Sequence, residues 1–88
     1  MSSTARKLLE RMRQSAANWT RNDLEKLYLG FGFEIRHGSN HDIIKHPEHP
    51  QLRTTLPRHR SLAKAYVRTA VRLVDELQHL IEETEADE

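Results

Sequence analysis

Histidine is the residue type in this sequence best suited to chemistry, and its distribution is uneven. The 88 residues include six histidines, and four of them lie between His37 and His49. A neutral imidazole near pH 7 can accept a proton from a hydroxyl group or donate one to a leaving oxygen. His41 directly follows the turn-forming segment Gly38-Ser39-Asn40, so we expect a strand to fix its side chain beside an open loop. Such a histidine could cleave RNA, whose 2′-hydroxyl can attack the adjacent phosphate without a metal.

Polar and basic residues near this turn could hold phosphate. Ser39 and the turn amides could bind a phosphate oxygen, and basic side chains, including Arg36, could neutralise the backbone. A helix N-terminus near Lys64 would also favour phosphate. The alternative is a solvated basic edge without a ligand. The RNA-binding candidates are Ser39, Asn40, Lys45, Arg58, His59, Arg60 and Lys64.

A metal site is the competing use of the histidines. His37 and His41 flank one turn, and two residues separate His46 from His49. No carboxylate or cysteine completes a familiar ligand pattern around them. We therefore expect no metal and no cofactor, and we interpret the proline-flanked His46 and His49 as loop residues.

Apolar spacing and turn residues predict six secondary-structure elements. Apolar residues recur at helical spacing in three segments, whereas apolar and polar residues alternate after Gly32. Thr20 can cap the second helix, with Asp23 in its first turn. The aromatic residues fall mostly on apolar stripes, which favours core packing over base stacking, with Trp19 the least certain. The predicted elements are helix 4–17, helix 21–29, strand 33–37, strand 41–46, strand 52–56 and helix 62–82.

This element order predicts a two-layer α+β domain, because three antiparallel strands have one face that helices must cover. The order α-β-β-β-α, preceded by an extra N-terminal helix, is that of the double-stranded-RNA-binding domain. One domain is expected from the length. Its parts are an extra helix within 1–18, a core over 20–82 and an acidic, frayed tail at 83–88. The apolar face of the first helix could either pack on the domain or bind a partner.

Charge is unevenly distributed although the formal net charge is only +1. Residues 34–72 hold eight Lys/Arg against three Asp/Glu, whereas residues 73–88 hold seven Asp/Glu and no Lys/Arg. The middle of the chain could therefore meet a polyanion, and the tail could not. The sequence has no cysteine, no signal-peptide pattern and no apolar run of membrane-spanning length. These features predict a cytoplasmic protein without membrane contact.

Five short segments stand out by their order and spacing: Leu27–Arg36, Gly38–His41, Ile43–Pro47, Leu56–His59 and Tyr66–Leu77. The first ends a helix and enters a strand through Gly-Phe, the second is a Gly-Ser-Asn-His turn, and the fourth is a Leu-Pro-Arg-His strand exit. Together, over about residues 20–80, they resemble the HicA (YcfA-like) family of mRNA interferase toxins. That family shows a Gly-Phe strand entry, a Gly-Ser-His-His or Gly-Ser-Asn-His turn and a Val-Pro-Arg-His exit.

The resemblance implies a fold like that of the double-stranded-RNA-binding domain, mRNA cleavage as the toxin of a toxin–antitoxin system, and neutralisation by a HicB-type antitoxin. The family's catalytic histidine is the last residue of the turn motif, which maps to His41. Asn40 replaces the first of the two histidines often found there. We therefore expect a metal-independent endoribonuclease, monomeric when alone, with His41 as general base or acid. A second proton-transfer group is also expected, and His37 and His59 are candidates.

Two other classes of function remain open at the level of sequence. A non-catalytic RNA-binding module of the same fold would bind RNA through the basic edge without cutting it. A protein-interaction module would lack salt-sensitive affinity for RNA.

Overall fold

The computed structural model describes residues 3–58 and 62–86, which form three helices and one three-stranded sheet. All strand pairs are antiparallel, in the order β1-β2-β3. The predicted element order and the α+β class are confirmed. The elements are α1 Ser3–Gln14, α2 Arg21–Gly30, β1 Glu34–His37, β2 His41–Lys45, β3 Arg53–Pro57 and α3 Lys64–Ala86.

The first helix is part of the core. Ala5, Leu9 and Met12 are buried along one face of α1, and Arg13 donates hydrogen bonds of 2.8 and 2.9 Å to the Asp75 carboxylate in α3. These contacts answer the question left open by the sequence, because the apolar face of α1 is occupied within the domain. The helix ends three residues before the predicted boundary at 17.

The second helix begins as the sequence predicts. The Thr20 hydroxyl accepts a hydrogen bond from the Asp23 backbone N–H at 3.3 Å, and the Asp23 carboxylate accepts one from the Thr20 backbone N–H at 3.0 Å. This reciprocal capping satisfies two N–H groups that the helix itself leaves unpaired. It also fixes the position of Arg21, the first residue of α2, which reaches the site described below.

The last helix is longer than predicted at its C-terminal end. It runs to Ala86, whereas the predicted helix ended at 82 and gave way to a frayed tail. Glutamate and alanine are strong helix formers, and the Thr84 hydroxyl donates a 3.0 Å hydrogen bond to the Leu80 carbonyl. Local propensity therefore carries the helix into the acidic segment.

The core lies between the helices and one face of the sheet. Tyr28, Phe31 and Phe33 are buried, as predicted, whereas Trp19 and Tyr66 are partly buried against the core. The largest fully buried side chains come from α2, the sheet and α3. They include Leu24, Leu27, Ile44, Leu56, Val67, Val74 and Leu77.

His46 has a structural position just after β2. Its Nδ1 accepts a hydrogen bond from the Glu48 backbone N–H at 3.2 Å, and its ring meets Phe33 edge to face with centroids 5.1 Å apart. Its side chain is buried. Burial, reinforced by neighbouring His49, lowers the pKa of His46 below its ordinary value. His46 therefore lies in a loop, as predicted, but it also contributes a buried, neutral imidazole to the packing of the domain.

Acidification should therefore destabilise the protein through His46. The unfolded chain takes up this proton near pH 6.5, whereas the folded protein resists it until lower pH, so the free energy of unfolding falls as the pH drops below about 6.5. Urea unfolding at about pH 7.5 and pH 5.5 should show a smaller acid-induced loss in His46→Gln than in the wild type. His79→Gln, at an exposed position of α3, should keep the wild-type loss. Equal losses in all three proteins would contradict the prediction.

Candidate functional site

The β1–β2 turn is closed by a short contact between its two ends. The Gly38 backbone N–H donates a hydrogen bond to the His41 carbonyl at 3.1 Å. A Cβ atom at position 38 would lie only 2.4 Å from that oxygen, so the close approach requires glycine. The turn thereby fixes the backbone of His41 at the first position of β2.

The His41 side chain is open to ligands. It is exposed, and it makes no hydrogen bond or ion pair with any residue of 3–58 or 62–86. Ser39 and Asn40 are exposed beside it. An imidazole with both nitrogens unengaged can exchange protons with a bound substrate.

Strand alternation decides which face of the sheet carries His41. Asp42 and Ile44 are fully buried on the face of β2 that meets the helices. Successive residues of a strand point to opposite faces. His41, Ile43 and Lys45 therefore lie on the other face, which no helix of the described chain covers and which we call the open face.

Asp42 is a buried carboxylate surrounded by basic side chains. It is 0% exposed, and its Oδ1 lies 3.2 Å from Nε of Arg58 and 3.1 Å from Nδ1 of His37. Its Oδ2 contacts the guanidinium of Arg21. Two arginines thus balance a negative charge whose burial would otherwise be costly.

This cluster also ties the end of β3 to the turn. Besides contacting Asp42, the Arg58 guanidinium donates a hydrogen bond to the Gly38 carbonyl. The Arg58 side chain is 47% exposed, so it can brace the turn and still meet a phosphate outside it. Sequence reasoning selected Arg58 as an RNA contact but overlooked its structural partner Asp42 and the second arginine, Arg21.

A signal for Asp42 was present in the sequence. The position follows His41 in β2 and, by strand alternation, shares a face with apolar Ile44. A charged residue on a buried face needs a partner of opposite charge. Nothing in the local pattern, however, pointed to Arg21 or Arg58 as that partner.

His37 and His41 belong to opposite faces of the sheet. His37 pairs with Asp42 across β1 and β2, and directly paired residues share a face. The contact between His37 Nδ1 and the Asp42 carboxylate favours the tautomer with the proton on Nδ1, which leaves Nε2 as an acceptor. The His37 side chain is 68% exposed. The register thus separates the two imidazoles, although both flank the same turn.

The remaining candidates are spread over the surface. Lys45 is half-buried at the far end of β2 from His41, and Lys64 is exposed at the first position of α3. His59 and Arg60 lie outside the described residues. Within 3–58 and 62–86, no group of three or more His, Cys, Asp or Glu side chains could hold a metal ion.

A groove of about 930 Å³ lies between the end of α1 and α3 and shares no lining residue with the turn. Arg13 pairs with Asp75 there, and Arg72 pairs with Glu76 at 3.0 Å. The groove is also lined by Ser15 and by His79, whose Nε2 lies 3.2 Å from the Glu83 carboxylate.

Comparison with protein-family models, with curated proteins and with solved structures finds no match to this chain. None of the helices in the described ranges is both long enough and apolar enough to cross a membrane.

Proposed function

We propose that this protein is a metal-independent endoribonuclease of the HicA type and that His41 transfers the proton in the cleavage step. The observation that carries this proposal is the presentation of His41 at the first position of β2. Its imidazole is exposed and unengaged within the described ranges, beside a turn that only glycine can close. The element order agrees with the fold expected of that family, an α-β-β-β-α domain like those that bind double-stranded RNA.

The reaction follows from the chemistry of RNA itself. His41 accepts the proton of a ribose 2′-hydroxyl, and the oxygen attacks the adjacent phosphorus. The bond from phosphorus to the 5′-oxygen breaks, and that oxygen takes up a proton from a protonated acid. The products are a 2′,3′-cyclic phosphate and a 5′-hydroxyl.

Groups around the turn can stabilise the charge that develops on the phosphate. Exposed Ser39 and the turn amides can donate hydrogen bonds to a phosphate oxygen. Arg58 supplies a positive charge that the contacts to Asp42 and Gly38 already hold in place. For the second proton transfer, His37 has a carboxylate-oriented ring but lies on the opposite face from His41, and His59 is the other candidate.

The biological role that we propose is that of a toxin acting on mRNA in the cytoplasm, monomeric when alone and neutralised by a HicB-type antitoxin. An acidic antitoxin surface would complement the charge of residues 34–72, where basic side chains outnumber acidic ones. Co-expression with a protein encoded beside this chain should then restore growth and co-purify with it.

A direct test uses purified protein and end-labelled single-stranded RNA in the presence of excess EDTA. The RNA should be cut into fragments that end in 2′,3′-cyclic phosphate, and the same RNA with 2′-O-methyl groups should stay intact. Loss of cleavage on adding EDTA would overturn the metal-independent reaction. RNA binding without fragments under any condition would favour the non-catalytic RNA-binding module instead.

A further inference from the structure

The strand register arranges the open face of the sheet in three rows. Residues paired directly across β1, β2 and β3 form one row, and rows two residues apart along the strands share the face. His41 lies in the row at the turn end, paired with Pro57 of β3. The second row consists of Arg36, Ile43 and Thr55. The third row, farthest from the turn, consists of Glu34, Lys45 and Arg53.

The cations of this face form no ion pair within the described ranges 3–58 and 62–86. One small depression is lined by Arg36, Lys45 and Arg53 together with Glu34 and Ile43. None of the three forms an ion pair with another described residue. Elsewhere in the described ranges four arginines are paired with carboxylates, whereas Arg6, Arg11 and Arg68 on the helices form no ion pair. The paired arginines are Arg13, Arg21, Arg58 and Arg72.

The dimensions of the open face fit one nucleic acid strand. Neighbouring strands of a sheet lie about 4.8 Å apart, and two residues along a strand span roughly 6.6 Å. The face is therefore about 10 Å wide, and Lys45 lies roughly 13 Å from His41 along β2. Domains that recognise double-stranded RNA by shape contact about 16 base pairs, which is far more than this face can follow.

We propose that the single RNA strand cut at His41 continues across the open face and that its phosphates contact Arg36, Lys45 and Arg53. We assign RNA as the ligand because the three cations share the open face with His41, the proposed cleavage residue. This inference therefore rests on the proposed function. We call the phosphate contacts at Arg36, Lys45 and Arg53 the track, which lies on the face of the sheet opposite the helices.

The same face predicts weak base selectivity. Ile43 and Thr55 lie between the cations and offer an apolar surface and a hydroxyl, but neither of the two rows beyond His41 contains an aromatic side chain on which a base could stack. Phosphate contacts position a strand without reading its sequence. The track therefore holds the strand in line for His41 and leaves base preference to the turn.

Binding can be measured separately from cleavage with a fluorescently labelled 2′-O-methyl single-stranded RNA, which cannot react through its 2′-oxygens. Anisotropy titrations of wild type, Arg36→Gln and Arg53→Gln at several salt concentrations should show Kd raised about five-fold in each variant. The slope of log affinity against log salt should fall by about 0.7 for each lost phosphate contact. Lys26→Gln is the matched control, because Lys26 is exposed on α2 and has no ion pair in the described ranges.

Three results would overturn the track. They are unchanged Kd in both sheet-face variants, an equal loss in Lys26→Gln, or stronger competition by a duplex than by a single strand of the same length. Cleavage of unmodified RNA by the same proteins separates this inference from the proposed function. If His41→Ala loses cleavage while the sheet-face variants bind normally, only the track is wrong. If His41→Ala still cleaves while the sheet-face variants bind poorly, only the catalytic assignment is wrong.

Discussion

Replacing His41 by alanine should lower the rate of RNA cleavage by roughly 10²- to 10⁴-fold, the usual contribution of a positioned general acid or base. The side chain is exposed and makes no hydrogen bond within the described ranges. Its removal should therefore change the free energy of unfolding by no more than about 0.5 kcal/mol. Initial rates with labelled RNA and urea unfolding of the same samples measure the two quantities.

A matched histidine makes this test specific. His79 is exposed on α3 and pairs only with Glu83 in the described ranges, so His79→Ala should cut RNA at the wild-type rate. In cells, induced expression of the wild type and of His79→Ala should arrest growth and degrade mRNA, whereas His41→Ala should do neither. Equal mRNA degradation by wild type and His41→Ala would exclude His41 as the catalytic residue.

The second large effect is expected at Asp42. Asp42→Ala should lower the free energy of unfolding by about 1.5–3 kcal/mol, because Arg21 then loses one of its two carboxylate partners and keeps only Glu25. The Arg21 side chain is only 17% exposed, so water can replace little of the lost interaction. For a domain whose whole stability is about 5–15 kcal/mol, this is a large fraction. Urea unfolding at neutral pH measures the change.

Asp75→Ala is the control for Asp42→Ala, because Asp75 is a carboxylate paired with an arginine at an exposed position. It accepts two hydrogen bonds from Arg13, but the side chains of both residues are 42% exposed. An exposed pair of this kind contributes about 0–1 kcal/mol, so Asp75→Ala should cost much less than Asp42→Ala. If the two variants lost the same stability, the Asp42 cluster would not be an organising contact of the fold.

The Asp42 cluster also connects stability with the proposed chemistry. Arg58 touches both Asp42 and the Gly38 carbonyl, so loss of the carboxylate should loosen the turn that presents His41. Asp42→Asn keeps the shape and one acceptor, and it should retain more stability than Asp42→Ala. Its kcat should nevertheless fall if the charge holds Arg58 and the turn in place.

Local residue patterns determined the elements and the position of the proposed catalytic residue. The reciprocal capping of Thr20 and Asp23 starts α2, alternation predicts the strands, and Gly38 closes the turn before His41. These features depend on residues within a few positions of one another, and short-range sterics and hydrogen bonding determine them. The predicted end of α3 at residue 82 was wrong, although the helix propensity that carries α3 to Ala86 is itself a local property.

Only the tertiary structure decided what faces His41 and what supports it. The pairing of three strands separates His37 from His41 and gathers Arg36, Lys45 and Arg53 on one open face. Folding of α2 and β3 around Asp42 brings Arg21 and Arg58 to a carboxylate that is distant from both in the chain. Such contacts depend on packing between elements, where burial of charge demands a partner but the sequence does not say which one. The turn and His41 could therefore be predicted from residues close together in the sequence. The cations of the open face and the buried Asp42 cluster could not be predicted in this way.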